Sequence, residues 1–345
     1  MEGDALAKRG ESGLSLLVGV DKPQGLSSHD VVNRVRRIFG ERRVGHTGTL
    51  DPLATGVLPV CIGPATRLDK YLTGHDKAYR VTMRFGFETT TDDAQGEPTA
   101  ESSVPSFLED EDFARQHVQA LVGTHEQKPP AYSAIKLDGK KAYEIARKGG
   151  DVDIPTRTIQ VLGAAFRAMA KDAETGLLTW EFDVKVSKGT YIRSLVRDLG
   201  RSLACPAHVL QLRRLQSGLV SIDDCVSLET LEALGEQAAL DPVRVLGLRF
   251  AFADDVARFV ESGAKLFPNQ VVLRDAMGNS EMGTPQVDAQ LDSCTSSAPE
   301  STEPPRDGEL VSIIIANRLK ALYRYDESAS IYRPDCVFAT PIARR

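Results

Sequence analysis

Residues 45–56 read Gly-His-Thr-Gly-Thr-Leu-Asp-Pro-Leu-Ala-Thr-Gly. Gly45, Gly48, Pro52, Gly56, Pro59 and Gly63 forbid a long regular element before Val57. A loop of this kind that still carries His46, Thr47, Asp51 and Thr55 is where reactive side chains are expected first, because loops on a rigid scaffold carry most chemistry. Other chemistries lack their residues. There is no HExxH, no GxxxxGK[ST], no GxGxxG and no GxSxG elbow. The five cysteines, Cys61, Cys205, Cys225, Cys294 and Cys336, form no CxxC pair, and no Cys/His set has metal-ligand spacing. Their odd number and wide spacing fit a reducing compartment. What remains is one carboxylate, Asp51, and an acid before proline, taken alone, reads as a turn or cap residue.

The surrounding pattern shows how such a loop is held. Leu16 to Val20 reads as a buried strand ending in the Lys22-Pro23-Gln24-Gly25 turn. Ser27 and Asp30 have capping-box spacing, and Val31, Val32, Val35, Ile38 and Phe39 follow the helical period up to Gly40. Strands are predicted over Leu58 to Ile62, Tyr79 to Phe87 and Trp180 to Val186, and helices over Phe113 to Val122, Ile192 to Leu203 and Leu228 to Leu240. The irregular mixture predicts an α+β fold with a mixed, largely antiparallel sheet. After Leu248 comes a second unit, with a helix near 254–262 and strands near 270–274 and 310–316. Within it, residues 286–307 are rich in Ser, Pro, Thr and acids and are expected to be a disordered insertion. The domain expectation is a polar tail over 1–12, a catalytic unit over 13–247 and a small, mostly β unit over 248–345, which suits the length of 345 residues.

Charge at first argues against a nucleic-acid partner: 42 Lys and Arg against 48 Asp and Glu give −6. The distribution reverses that. Residues 88–112 hold nine acids and no base, and residues 275–309 hold eight acids and one base. Read as solvated acidic loops, these two stretches carry −16 and leave +10 on the rest. The bases cluster at Arg34, Arg36, Arg37, Arg42 and Arg43, at Lys136, Lys140, Lys141, Arg147 and Lys148, and at Arg193, Arg197, Arg201, Arg213 and Arg214. Three such clusters suit an RNA or DNA surface. The apolar run at 14–20 is too short for a membrane span and lacks a cleavage site, so a cytoplasmic protein without membrane contact is expected.

The 45–56 string resembles, almost letter for letter, the signature of the TruB family of tRNA pseudouridine synthases. Five further blocks extend the resemblance in order: Asp21 to Ser28, Asp76 to Val81, Pro129 to Ala134, Ser187 to Arg193 and Ala207 to Arg214. The resemblance implies an α+β pseudouridine-synthase domain with an inserted thumb at about 128–157 and a PUA-like C-terminal domain. It implies conversion of uridine-55 in the T arm of tRNA to pseudouridine, with no cofactor and no metal. The C1′–N1 bond breaks, the base turns, and C1′ joins C5. A carboxylate can stabilise or trap the charge that builds on the ribose.

By that resemblance Asp51 is the catalytic nucleophile, Tyr79 lies against the uracil, and Arg193 pairs with the aspartate. Tyr191, two residues before Arg193 on what reads as one extended segment, is expected to share its face and line the pocket. Leu212 forms an apolar wall, and His46 supports the flipped-out base. Lys22 is a phosphate or support contact. Lys136, Lys140 and Lys141 of the thumb meet the RNA backbone. A stand-alone monomer acting on tRNA, without guide RNA or protein partner, is expected. Two alternatives are a non-catalytic RNA-binding protein, which the basic clusters suit equally, and an RNA-guided enzyme acting on ribosomal RNA.

Overall fold

A computed structural model describes residues 12–133, 135–137, 140–142, 145, 153–172, 174–276, 298 and 300–344. The first element is decided by burial: Leu16, Leu17, Val18 and Val20 all fall below 2 % exposure, so β1 (Leu16–Lys22) is covered on both faces. The helix Ser28–Phe39 starts as its sequence requires. Ser27 Oγ accepts from the Asp30 amide at 3.2 Å, and Asp30 accepts from the Ser27 amide at 2.9 Å. It ends at Gly40, whose φ of +61° lets the chain turn away. Val31, Val32 and Val35 form its buried stripe.

The next strands are β2 (Val44–His46), β3 (Thr55–Ile62), β4 (Lys77–Phe85), β5 (Phe87–Thr89), β6 (Pro98–Glu101) and β7 (Gly123–Gln127). They continue as β8 (Lys136–Leu137), β9 (Lys140–Lys141), β10 (Arg157–Lys171), β11 (Leu178–Val186), β12 (Ala207–Ser217) and β13 (Val220–Ser221). Nine of them build one sheet along the path β1-β3-β12-β4-β11-β10-β7, with β2 on β3 and β13 on β12. Among the described strands of this sheet only β3 and β12 pair in parallel, so it is mixed and largely antiparallel. The alternation on β4 and β11 puts Tyr79, Val81, Met83 and Phe85, and Trp180, Phe182 and Val184, on the core face.

The helix Ile192–Ser202 packs on β12 and buries Ile192, Leu195, Val196 and Leu199. Between β7 and β10 lies the predicted thumb, of which the β8–β9 hairpin pairs Lys136 with Lys141 and Leu137 with Lys140. The side chains of Lys136, Lys140 and Lys141 lie outside the described residues, as do Arg147 and Lys148.

A second sheet, β14 (Phe250–Phe252), β15 (Leu310–Ile315), β16 (Arg318–Asp326) and β17 (Ile331–Ala343), forms in that order. It shares a core with the first. Leu17, Val57, Cys61, Ala65 and Leu68 pack with Leu319, Leu322, Cys336, Phe338 and Ile342. Three sequence expectations are corrected here. The helix predicted to run to Leu240 stops at Leu234, and a 3-10 turn, Gly235–Ala238, follows. The helix placed at 254–262 opens as a 3-10 turn, Asp254–Val256, before Ala257–Glu261. The strand placed at 270–274 is absent: a 3-10 turn, Pro268–Gln270, precedes two isolated bridges from Arg274, to Phe250 and to Glu300. Pro268 supplies no amide for a ladder, which disfavours a regular strand there.

Of the expected N-terminal tail, residues 1–11 lie outside the described residues, and Ser12 donates to Glu41. Of the 286–307 insertion, 286–297 and 299 lie outside. Ala298 is buried, and Arg249 bonds Ser301 Oγ at 3.1 Å and the Glu303 carbonyl at 2.7 Å.

One glycine is indispensable to the sheet. Gly56 sits at φ +100° where β3 meets β12, and a Cβ there would lie 2.1 Å from the Arg214 carbonyl oxygen. Gly56→Ala combines left-handed strain with a backbone clash. It is expected to cost about 3 kcal/mol or more of stability, read as a lowered urea midpoint. An unchanged midpoint would show that the parallel junction tolerates a side chain.

Candidate active site

The 45–56 loop is fixed from two sides. Ser28, buried in the first turn of its helix, accepts from the Leu50 amide at 2.8 Å and donates to the Leu50 carbonyl at 2.9 Å. Arg214, fully buried on β12, donates to the carbonyls of Val57 (2.6 Å), Gly48 (3.0 Å) and Thr49 (3.4 Å). A buried guanidinium satisfied only by carbonyls is specific to that loop path, because its planar fork has no other acceptor there. Asp51 follows directly after the Ser28 clamp.

The floor under the loop comes from strand register. Tyr79 pairs with Arg214 and Val81 with Leu212 across β4 and β12, so the four side chains share one face. Tyr79 and Leu212 are buried there in one cluster with Leu50, Leu53 and Ala54 of the loop.

Arg193 closes the site. Its Nε meets Asp51 Oδ2 at 2.9 Å, and Nη1 lies 3.7 Å from Asp93 Oδ2. Nη1 also donates to the Thr91 carbonyl at 2.9 Å and Nη2 to the Tyr132 carbonyl at 3.0 Å. The Arg193 side chain is 6 % exposed and that of Asp51 38 %, so the carboxylate is held from inside and reachable from outside. Burial pushes the Asp51 carboxyl above the ordinary range; Arg193 opposes this, Asp93 adds to it, and Lys22 opposes it.

Tyr191 requires a correction. It and Arg193 do not share an extended segment: Tyr191 is the cap of the helix Ile192–Ser202, and Arg193 lies in its first turn. Gln127 makes the cap rigid, since its side-chain amide donates to the Tyr191 carbonyl at 3.0 Å and accepts from its amide at 2.8 Å. The Tyr191 ring is half-exposed, with the Arg157 guanidinium 5.2 Å from its centroid.

Lys22 is fully buried, so the geometry gives it the support role rather than a phosphate contact. Its ammonium donates to the carbonyls of Leu26 (2.6 Å) and Pro23 (2.9 Å). Burial pushes it down to about 8, with Asp51 opposing and Arg214 reinforcing. Lys77, beside Gly48, is likewise pushed down to about 8 by burial and Arg214. His46, half-buried on β2, accepts from the Gly48 amide through Nδ1 at 3.3 Å; burial and then Arg214 hold its ring below the usual histidine range.

The acidic stretch and the third basic cluster also read differently in three dimensions. Arg193, Arg197 and Arg201 recur every four residues along one helix face. They meet, in turn, Asp51 and Asp93, then Asp92 at 2.8 Å, then Glu88 at 2.7 Å. Arg197 also donates to the Lys128 carbonyl at 3.0 Å, at the thumb's base. Arg213 pairs with Asp21 at 2.8 Å. Glu88, Asp92 and Asp93 are therefore buried counter-ions, contrary to the solvated-loop reading for these three, while Arg201 and Arg213 stay partly open to solvent beside their carboxylates. Ser28, Lys77 and Arg214 lay inside the quoted sequence blocks without an assigned role. Asp93 and Gln127 carried no local signal, because only the tertiary fold brings them to Arg193 and Tyr191.

The chain as a whole matches known proteins. The sequence profile of the TruB family pseudouridylate synthase N-terminal domain matches residues 36–192, and that of the tRNA pseudouridylate synthase B C-terminal domain matches 193–244. A tRNA pseudouridine synthase B of Pectobacterium atrosepticum is 45 % identical over 219 residues, 64 % of this chain and 67 % of the relative. One of Shouchella clausii is 41 % identical over 234 residues, 67 % and 76 % respectively. Among solved structures, a chain of a Cbf5–Nop10–Gar1 complex aligns with TM-score 0.63 at 24 % identity, over 95 % of this chain and 85 % of that one. A chain of an archaeal box H/ACA sRNP Nop10–Cbf5 complex gives 0.62 at 23 %, over 97 % and 89 %. These structural likenesses establish the fold.

Lys22 carries a pH signature. Its proton leaves near pH 8 in the fold and near 10.5 in the unfolded chain. Below pH 8 its burial costs stability, and that cost fades as pH rises to 10.5 because only the unfolded chain then holds the proton. Lys22→Met should therefore make the urea midpoint climb less steeply than wild type across that window; parallel profiles would refute the assignment. With the loop, the Asp51–Arg193 pair and the ordered blocks all in place, the chain belongs to the TruB family of pseudouridine synthases.

Proposed function

We propose that this chain isomerises uridine-55 in the T arm of tRNA to pseudouridine. The observation that carries the reading is the Asp51 carboxylate, 38 % exposed at one side and gripped by Arg193 at 2.9 Å on the other. Relatives named tRNA pseudouridine synthase B support the substrate. The target base is flipped out at a cost of a few kcal/mol, with His46 supporting the opened loop. Asp51 is the nucleophile as the C1′–N1 bond breaks, and Arg193 fixes its carboxylate. The uracil turns against Tyr79 and Leu212 with Tyr191 at the rim, and C5 bonds to C1′. Asp51 leaves C1′ as C5 joins it; C5 then loses its proton and N1, freed from the sugar, takes one up, so the product is an isomer and no cofactor enters. Lys136, Lys140 and Lys141 meet the RNA backbone, and Lys22 supports the Asp51 loop from below. The second sheet is read as a PUA-like domain, and the enzyme as a guide-independent cytoplasmic monomer.

Asp51→Asn should lower single-turnover pseudouridine formation on a T-arm transcript by at least about 10⁴-fold while leaving its affinity within a few-fold. Retained turnover would remove Asp51 from the mechanism, and a wild-type protein that binds tRNA without forming pseudouridine would sink the proposal itself. Arg193→Lys keeps the charge and loses the fork that reaches Asp51, Thr91 and Tyr132 together. A loss of about 10²-fold or more in the same rate is expected, and near-wild-type turnover would show that charge alone suffices.

A further inference from the structure

The first basic cluster is unlike the third. Arg34 pairs with Glu232, but Arg36, Arg42 and Arg43 converge on one cleft of about 480 Å³ that His46, Thr66 and Asp69 also line. The cleft lies between the last turn of the helix Ser28–Phe39, the turn after it, β2 and the 3-10 segment Gly63–Leu68.

Among the described residues three arginines and one carboxylate, Asp69, line it. Asp69 accepts from Thr73 Oγ1 at 2.6 Å, and among the described residues it makes no ion pair with the three arginines. Arg43 is anchored at Nε by Thr66 Oγ1 at 2.7 Å, and Thr66 is itself tied to the Gly63 carbonyl at 2.9 Å. Its two Nη groups meet no protein acceptor among the described residues. Arg42 is exposed and meets none either. Arg36 bonds Asn33 Oδ1 at 2.9 Å and keeps a buried Nε with no partner. A helix C-terminus favours nearby cations, which accounts for Arg36 but not for Arg42 and Arg43, which lie beyond the helix. Three guanidiniums facing one cleft repel one another unless an anion joins them, and the guanidinium fork matches phosphate oxygens two at a time. His46 accepts through Nδ1, so its neutral ring adds Nε2–H as a further donor.

We propose that this cleft binds a phosphodiester of the substrate's RNA backbone beside His46. The inference rests on the RNA substrate proposed above. It gives the arginines a role in affinity and register, separate from the reaction at Asp51.

The test compares wild type, Arg42→Gln, Arg43→Gln, the double variant and Arg34→Gln for tRNA affinity across salt concentration, with single-turnover rates at saturating tRNA. Arg42 and Arg43 variants should each bind roughly three- to tenfold more weakly and lower the slope of log affinity against log salt by about one. Their saturating rates and the Arg34→Gln affinity should stay at wild-type values. Among the described residues Arg42 has no protein partner to lose, so its variant remains informative even if Arg43→Gln disturbs Thr66. Wild-type affinity and slope in the double variant would overturn the proposal. So would an equal loss in Arg34→Gln, which would mean a diffuse field rather than a site. A fall in saturating rate at unchanged affinity would move the arginines to the reaction and equally overturn it. Pseudouridine formation by the wild type throughout separates these failures from failure of the proposed reaction.

Discussion

The Arg193 guanidinium joins four stretches of chain that are far apart in sequence: the 45–56 loop through Asp51, the acidic stretch through Thr91 and Asp93, the thumb's base through Tyr132, and its own helix. A group so buried is tolerable only because every side of it is occupied by a carboxylate or a carbonyl. The same requirement aims Asp51. The carboxylate cannot leave without stranding the arginine, and the arginine cannot rotate without losing two backbone carbonyls. Ser28 and Arg214 hold the loop on which Asp51 sits, so the carboxylate is positioned through its backbone and its side chain independently.

The helix face that carries Arg193 explains where the protein's charge goes. Arg197 and Arg201 continue the ladder onto Asp92 and Glu88, and the Arg201 fork holds Glu88 below the usual carboxylate range. An acidic run that looks like solvent-facing excess is therefore partly the neutralising layer of one basic helix face. Subtracting that run from the net charge overstates the cationic surface left for RNA. The distinction that matters is whether each arginine has a carboxylate. Arg193, Arg197, Arg201 and Arg213 do, Arg214 has backbone carbonyls instead, and among the described residues those of the cleft beside His46 have none.

Much of this was legible in the sequence because it is local. The capping box at Ser27, the stop at Gly40, the alternation on β4 and β11, and the loop at 45–56 depend on residues a few positions apart. The ordered blocks around Asp51 named Tyr79, Arg193, His46 and Leu212, and the structure gathers Asp51 with Arg193 and Tyr79 with Leu212. What escaped was long-range. Lys22 reads as a charged turn residue, yet it is buried because β1 and the Asp51 loop close over it. Tyr191 and Arg193 lie two residues apart, and a helix start between them separates their faces. The missing strand near 270–274 follows a 3-10 turn opened by Pro268 and keeps only the isolated bridges of Arg274 to Phe250 and Glu300, which apolar content does not reveal.

The segment 63–72 links the two sheets mechanically. Thr66 and Asp69 face the arginine cleft, whereas Arg67 donates to the Val337 carbonyl at 2.6 Å, and Lys70 and Tyr71 both bond Asp335 of β17. Beneath it Leu17, Val57, Cys61 and Leu68 are sealed by Phe338 and Ile342. β3 thus carries the end of the Asp51 loop on one side and the shared core on the other. The second sheet buttresses β3 and the cleft wall whatever it contributes to RNA itself. A displacement of β17 would reach Thr66 and Arg43 through the segment 63–72, and the end of the Asp51 loop through Val57, whose carbonyl Arg214 holds. The second unit is therefore coupled to the cleft and to one anchor of the loop, while Ser28 and Arg193 hold Asp51 from elements of the first sheet's own domain.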